Sequence, residues 1–136
     1  MNPCTEIHCL TVYLIERTPA VRTRQLQMLN SLYGLYVAGA GSEVEADVPQ
    51  LVALRPDVVL IGLNAAESAP TTRIRTLADA LPESTLIVLA NEGTPQMRRA
   101  CLMAGGKYCF DKTLEVAELR TLLLTMADAV TQRREF

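Results

Sequence analysis

Few side chains in this sequence stand where chemistry is possible. Glu16 and Arg17 follow an apolar run near the start, and Asp111 and Lys112 follow another near the end. A carboxylate can ligate a hard cation, whereas guanidinium and ammonium groups can hold an anion or pair with that carboxylate. The only histidine is His8, between Cys4 and Cys9. A metal site there would need a fourth ligand and an ordered segment, so no metal is expected. Cys101 and Cys109 lie in apolar surroundings and read as small core residues, and no CxxC pair occurs. Gly39 and Gly41 follow the second apolar run instead of the first, so they are no dinucleotide fingerprint. No nucleophile stands beside a base and no glycine-rich loop could cradle phosphate, so neither an enzyme nor a cofactor is expected.

Composition narrows the field further. At 136 residues the chain fits one domain, able to bury roughly 67% of its unfolded surface without disulfides. Apolar residues make up 49% and charged ones 21%, which excludes disordered and fibrous classes. Fifteen acids against thirteen bases give a net charge of -2, and a free-standing nucleic-acid binder would carry a basic excess. All but two of the bases, Lys107 and Lys112, are Arg. No long apolar run marks a signal peptide or a membrane span, which makes cytoplasmic residence the expectation.

The elements that would position the charged residues alternate along the chain. Strands are expected at Leu10–Ile15, Leu35–Ala40, Asp57–Leu63, Leu86–Ala90 and Lys107–Phe110. Their near-continuous Val, Leu and Ile content suits parallel strands covered on both faces. The first helix starts at Pro19, with Val21, Leu26, Leu29 and Leu32 at helical spacing, and Gly34 stops it. A weaker helix over Glu43–Leu54 presents Val44, Val48, Leu51 and Val52, with Pro49 expected to kink it or delay its start. Thr71–Leu81 is the third. The fourth is capped by Thr94, opens at Pro95 and ends at Ala104–Gly105–Gly106. The last runs from Glu115 to Val130 and turns Val116, Leu119, Leu122, Leu123, Met126 and Val130 inward.

Right-handed crossovers between parallel strands put helices on both faces. The expectation is one α/β domain, a doubly wound five-stranded parallel sheet of flavodoxin-like strand order 2-1-3-4-5. It would occupy residues 10–130, after an N-terminal extension of residues 1–9 and before a polar tail or linker stub of residues 131–136. Ligands bind such sheets at the carboxyl ends of the strands, and that edge would gather Glu16, Arg17, Gly62, Ala90 and Lys112.

Four segments now give a more specific signal: IERTP at 15–19, RPDVVLIGLN at 55–64, LIVLA at 86–90 and AGGKYCFDK at 104–112. Together they resemble the receiver domain of two-component response regulators, the CheY-like family, and most closely receivers of the NarL/FixJ type. The resemblance implies a site in which two acids after the first strand hold Mg²⁺ with an acceptor Asp. It further implies a Ser or Thr after the fourth strand and a Lys after the fifth, both serving the phosphoryl group.

This chain departs from that pattern. Gly62 stands at the acceptor position, Ala90 at the hydroxyl position and Arg17 at the second acid, so only Glu16 and Lys112 match. Ala65 and Ala66 replace the usual Met-Pro pair. Asp57 falls at the opposite end of its strand, Glu67 sits in a loop, and Asp111 is expected to shape its turn. Phosphoaspartate chemistry is therefore absent, and Glu16 is expected to pair with Lys112 or Arg17 and lock the loops, with anion binding the rival use. Tyr108 matches the switch aromatic of the family, either held inward beside Ala90 or exposed.

The resemblance implies a non-phosphorylatable receiver-like protein-interaction module in bacterial signal transduction or transcriptional regulation. It would act through the face formed by the fourth helix, fifth strand and fifth helix, where Arg98, Tyr108 and Arg120 stand. The expected partner is a protein, a second copy of the chain included, with no nucleic acid or membrane bound by this domain. The alternative is an N-terminal regulatory or dimerisation domain of a larger DNA- or RNA-binding regulator.

Overall fold

A computed structural model describes residues 9–64 and 69–134. Five strands, β1 (Leu10–Ile15), β2 (Leu35–Gly41), β3 (Val58–Gly62), β4 (Thr85–Ala90) and β5 (Tyr108–Asp111), alternate with five helices. The helices are α1 (Pro19–Asn30), α2 (Val44–Leu54), α3 (Pro70–Ala80), α4 (Pro95–Met103) and α5 (Val116–Arg134). All four strand pairings are parallel and the order is β2-β1-β3-β4-β5, the doubly wound arrangement expected from the sequence.

Two apolar layers sandwich the sheet because alternate strand residues point to opposite faces. Val12 and Leu14, Val58 and Leu60, and Ile87 and Leu89 face α1 and α5, where Leu29, Leu119 and Leu123 meet them. Tyr13 and Ile15, Val59 and Ile61, and Leu86 and Val88 face α2, α3 and α4, against Leu51, Ile74, Leu77 and Cys101. This double coverage explains the lack of polar alternation in β3, every residue of which is buried. At the amino-terminal end of the sheet, Asp57 Oδ2 accepts from Thr11 N–H at 2.9 Å and from Thr11 Oγ1 at 3.0 Å. Asp57 is thus a strap between the starts of β1 and β3, far from the carboxyl edge.

Several local expectations shift. Pro49 lies inside α2 without delaying its start at Val44; lacking an N–H, it leaves the Glu45 carbonyl without its helical donor. Val52 is 49% exposed, because Val44 and Leu51 already define the buried stripe and Val52 falls at its rim. Val116 also projects outward, from the first turn of α5. α5 continues to Arg134, past the expected end at Val130, since no Gly or Pro interrupts it. Thr94 caps α4 as anticipated, its Oγ1 accepting from Met97 N–H at 3.1 Å. Gly34 adopts φ +87 and accepts from Leu10 N–H at 2.9 Å, turning the chain from α1 into β2. No helix among the described residues is long and apolar enough to cross a membrane.

Candidate functional site

Because the strands are parallel, their carboxyl ends share one edge. The ladder runs just past the strands there, with Glu16 N–H bonded to Gly41 O at 2.9 Å and Lys112 N–H to Ala90 O at 2.9 Å. These bonds fix Glu16 and Lys112 on either side of Gly62 and Ala90.

Glu16 is fully buried and Lys112 has a side-chain exposure of 7%. Lys112 Nζ donates to Glu16 Oε1 at 3.0 Å, and Thr18 N–H donates to Oε2 at 3.1 Å. Arg22 Nη1 donates to the Glu16 backbone carbonyl at 2.7 Å. Both carboxylate oxygens and the carbonyl are therefore engaged, and the loop after β1 is braced to the loop after β5. A buried ion pair of this kind is costly to leave half-made.

Gly62 lies directly beneath this carboxylate. A Cβ at residue 62 would collide with Glu16 Oε1 and stand 2.9 Å from Glu16 Cδ. The space a side chain would use there is taken by Glu16. Ala90 is buried and its side chain presents no polar atom to the edge. Beside it is a pocket of about 220 Å³ lined by Leu63, Asn64, Ala90, Thr94 and Met97 among others.

Arg17 takes a different direction from its neighbour. Its Nη2 pairs with Glu43 Oε2 at 3.2 Å, half exposed at the start of α2. Glu16 turns toward Gly62 and Lys112 while Arg17 pairs with Glu43 beyond β2, so the cation that meets Glu16 comes from a residue remote in sequence.

Two features of the edge escaped the sequence reading. Arg73 on α3 is 6% exposed and donates from Nη1 to Gly62 O at 3.2 Å. Its signal was positional: Arg73, Leu77 and Ala80 follow the i, i+4, i+7 stripe that α3 turns to the sheet. The second is a clamp around Arg98. This guanidinium donates to Gly93 O at 2.8 Å, Cys109 O at 3.0 Å and Glu115 Oε1 at 2.6 Å. Glu115 also accepts from Asp111 N–H at 2.8 Å, and that bond, followed by the Arg98 bond, holds its carboxyl below the usual range. Asp111 accepts from Leu114, Thr113 and Gly93 N–H groups, which lower its value too, so it shapes the turn after β5.

Of the residues expected on the neighbouring face, Arg98 is thus a structural tie. Arg120 is exposed on α5 and Tyr108 is half-buried. The Tyr108 ring stacks on Phe110 with centroids 6.4 Å apart and packs against the core layer under α5, a position between the two expected extremes. Cys4, His8, Ala65, Ala66 and Glu67 lie outside the described residues. Cys9 is buried and disulfide-bonded, which removes its thiolate as a metal ligand. Among the described residues no group of three or more His, Cys, Asp or Glu could hold a metal ion.

No protein-family model matches the chain, and no curated protein matches it by sequence. Solved structures do match. The signal receiver domain of the response regulator NarL from Mycobacterium tuberculosis superposes with a TM-score of 0.75 at 16% identity, over 89% of this chain and 98% of that one. The isolated receiver domain of RcsB from Salmonella enterica serovar Typhimurium gives 0.75 at 18% identity, over 93% and 98%. A pilus assembly-related protein from Burkholderia pseudomallei gives 0.71 at 16% identity, over 96% of each chain. At these identities the likeness is one of architecture, and in architecture this chain has the fold of the response-regulator receiver domains.

Proposed function

We propose that the chain is a non-phosphorylatable, receiver-like interaction module in bacterial signal transduction or transcriptional regulation. The observation that carries this reading is the placement of the Glu16 carboxylate over Gly62, paired with Lys112. Phosphoryl transfer to a receiver needs a nucleophilic oxygen at that place and a divalent cation held by carboxylates. Gly62 supplies no side-chain oxygen, Ala90 supplies no hydroxyl, and the one carboxylate over Gly62 among the described residues is already bonded to an ammonium group. Lys112 stands in for the cation, and the brace between the loops after β1 and β5 is built in without any ligand. Glu16, Arg17, Gly62, Ala90 and Lys112 then form a degenerate phosphorylation pocket locked in one state.

Function in such a domain falls to its surface. The face of α4, β5 and α5 keeps Tyr108 and Arg120 available to a protein partner or a second copy, and both residue types are enriched at binding hot spots. Incubation with Mg²⁺ and a small acyl phosphate, followed by intact-mass analysis, is expected to leave the mass unchanged. An acid-labile phosphoryl adduct would overturn the reading. Arg120→Glu is expected to weaken self-association or partner binding in sedimentation. Unchanged profiles would remove this face from the proposal.

A further inference from the structure

Outside the carboxyl edge, one pair of side chains is arranged for chemistry. Cys101 on α4 and Cys109 on β5 are both free thiols. Cys101 is fully buried in the layer under α2, α3 and α4, and Cys109 packs against the same layer while keeping part of its surface exposed. Their elements are in close contact here. Cys109 pairs with Val88 in the sheet, and a Cβ at Gly106 would lie 2.9 Å from Val88 Cγ2 and 3.0 Å from the Cys101 carbonyl. Arg98, one turn before Cys101, donates to the Cys109 carbonyl at 3.0 Å and holds β5 under the helix. The two thiols therefore belong to one layer, on elements that touch. The neighbouring Cys109 and burial push Cys101 up, while Cys101 and the Arg98 charge hold Cys109 below the ordinary thiol value.

We propose that Cys101 and Cys109 are a redox modification site that closes to an intramolecular disulfide under peroxide-class oxidants and reopens with thiol reductants. Cys109 is the attacking group, being the one that reaches the surface, whereas Cys101 is buried. Its thiolate sulfur takes the terminal oxygen of hydrogen peroxide, the O–O bond breaks, and hydroxide leaves, giving the sulfenic acid. The Cys101 sulfur then displaces the hydroxyl from Cys109. The S–S bond forms, and the departing oxygen takes up the Cys101 proton as water. In total two thiols lose two protons and two electrons, and one peroxide becomes two waters. The product staples α4 to β5, where Arg98 already ties them by a hydrogen bond. Neither cysteine belongs to the Glu16–Lys112 pair, so this site stands whether or not the pocket is locked.

The sequence makes the test direct. Trypsin cleaves after Arg99, Lys107 and Lys112, which puts Cys101 and Cys109 in separate peptides. After treatment of the intact folded chain with hydrogen peroxide, the expected result is a cross-linked species joining Ala100–Lys107 to Tyr108–Lys112. It should appear in the monomer band of a non-reducing gel and vanish with dithiothreitol. Cys109→Ser, or Cys109→Ala if the hydroxyl perturbs folding, should abolish it. Exchange of the α4 amides should also slow on oxidation of the wild-type chain. Recovery of the two peptides unlinked, with Cys109 as sulfinic or sulfonic acid or unreacted, would overturn the proposal. Cross-links found only between molecules would overturn it equally.

Discussion

Replacing Lys112 by Met tests whether the buried pair locks the edge. Glu16 is fully buried, Lys112 is 7% exposed, and their charged atoms are 3.0 Å apart. At that separation the gross attraction is about 5–6 kcal/mol with an effective dielectric constant of ~20. Desolvation of two ions offsets most of it, so the intact pair adds little net stability. Removing one member is different, because the survivor stays buried without its partner. That loss is about 3–5 kcal/mol. The Thr18 N–H remains on Glu16 and sets the expectation near the lower end, about 3 kcal/mol. In a domain of this length each kcal/mol moves Tm by about 3–4 °C, so Lys112→Met should melt roughly 10 °C lower. The double variant Glu16→Leu/Lys112→Met leaves no stranded charge and should recover to within about 1 kcal/mol of wild type. Urea denaturation of the four proteins closes the cycle. A loss below about 1 kcal/mol for Lys112→Met, as for an exposed pair, would refute the reasoning. So would a double variant worse than either single one.

Two other perturbations probe the same edge and its neighbour. Gly62→Asp returns a carboxylate to residue 62 but drives it against Glu16, so it should destabilise the chain by about 3 kcal/mol or more. Adding Glu16→Ala should restore part of that loss, and denaturation midpoints without any rescue would show the space is not Glu16's. Acid titration reads the turn after β5. Asp111 and Glu115 have folded values below their unfolded ones, held there by backbone N–H groups and by Arg98. Their contribution is complete above the ordinary carboxylate range and is lost as pH falls through the depressed folded values. Thermal melts should therefore decline on the acid side, and Asp111→Asn should flatten that decline; an unchanged acid limb would contradict it.

Much of this was legible from residue types. Val- and Leu-rich runs broken by Pro19, Pro56, Pro70, Pro82 and Pro95 mark the alternation, and parallel strands oblige Glu16, Gly62, Ala90 and Lys112 to share an edge. Which cation meets Glu16 was not legible. Arg17 is adjacent in sequence, yet neighbouring residues at a strand end point in opposite directions, and the partner arrives from beyond β5. Arg98 reads as a surface charge because Glu115, Gly93 and the Cys109 carbonyl converge on it only once α4 and β5 are packed. Arg73 lies on a buried stripe, but an arginine there stands out only when the helix is placed on its sheet. The outward turn of Val52 and Val116 has the same origin: helical spacing gives the stripe, and packing decides its width.

The proposed locked pocket stands or falls on whether a divalent cation can enter it. Mg²⁺ requires near-octahedral oxygen ligation, and Glu16, the only carboxylate over Gly62 among the described residues, is held by Lys112. Titration of Mg²⁺ into the isotopically labelled chain, read at the amide resonances of Glu16, Gly62 and Lys112, is the most direct measurement. The locked pocket predicts no saturable shift at these three positions into the millimolar range. Saturable micromolar binding centred on them would show that Glu16 leaves Lys112 for the metal, and the reading would fail.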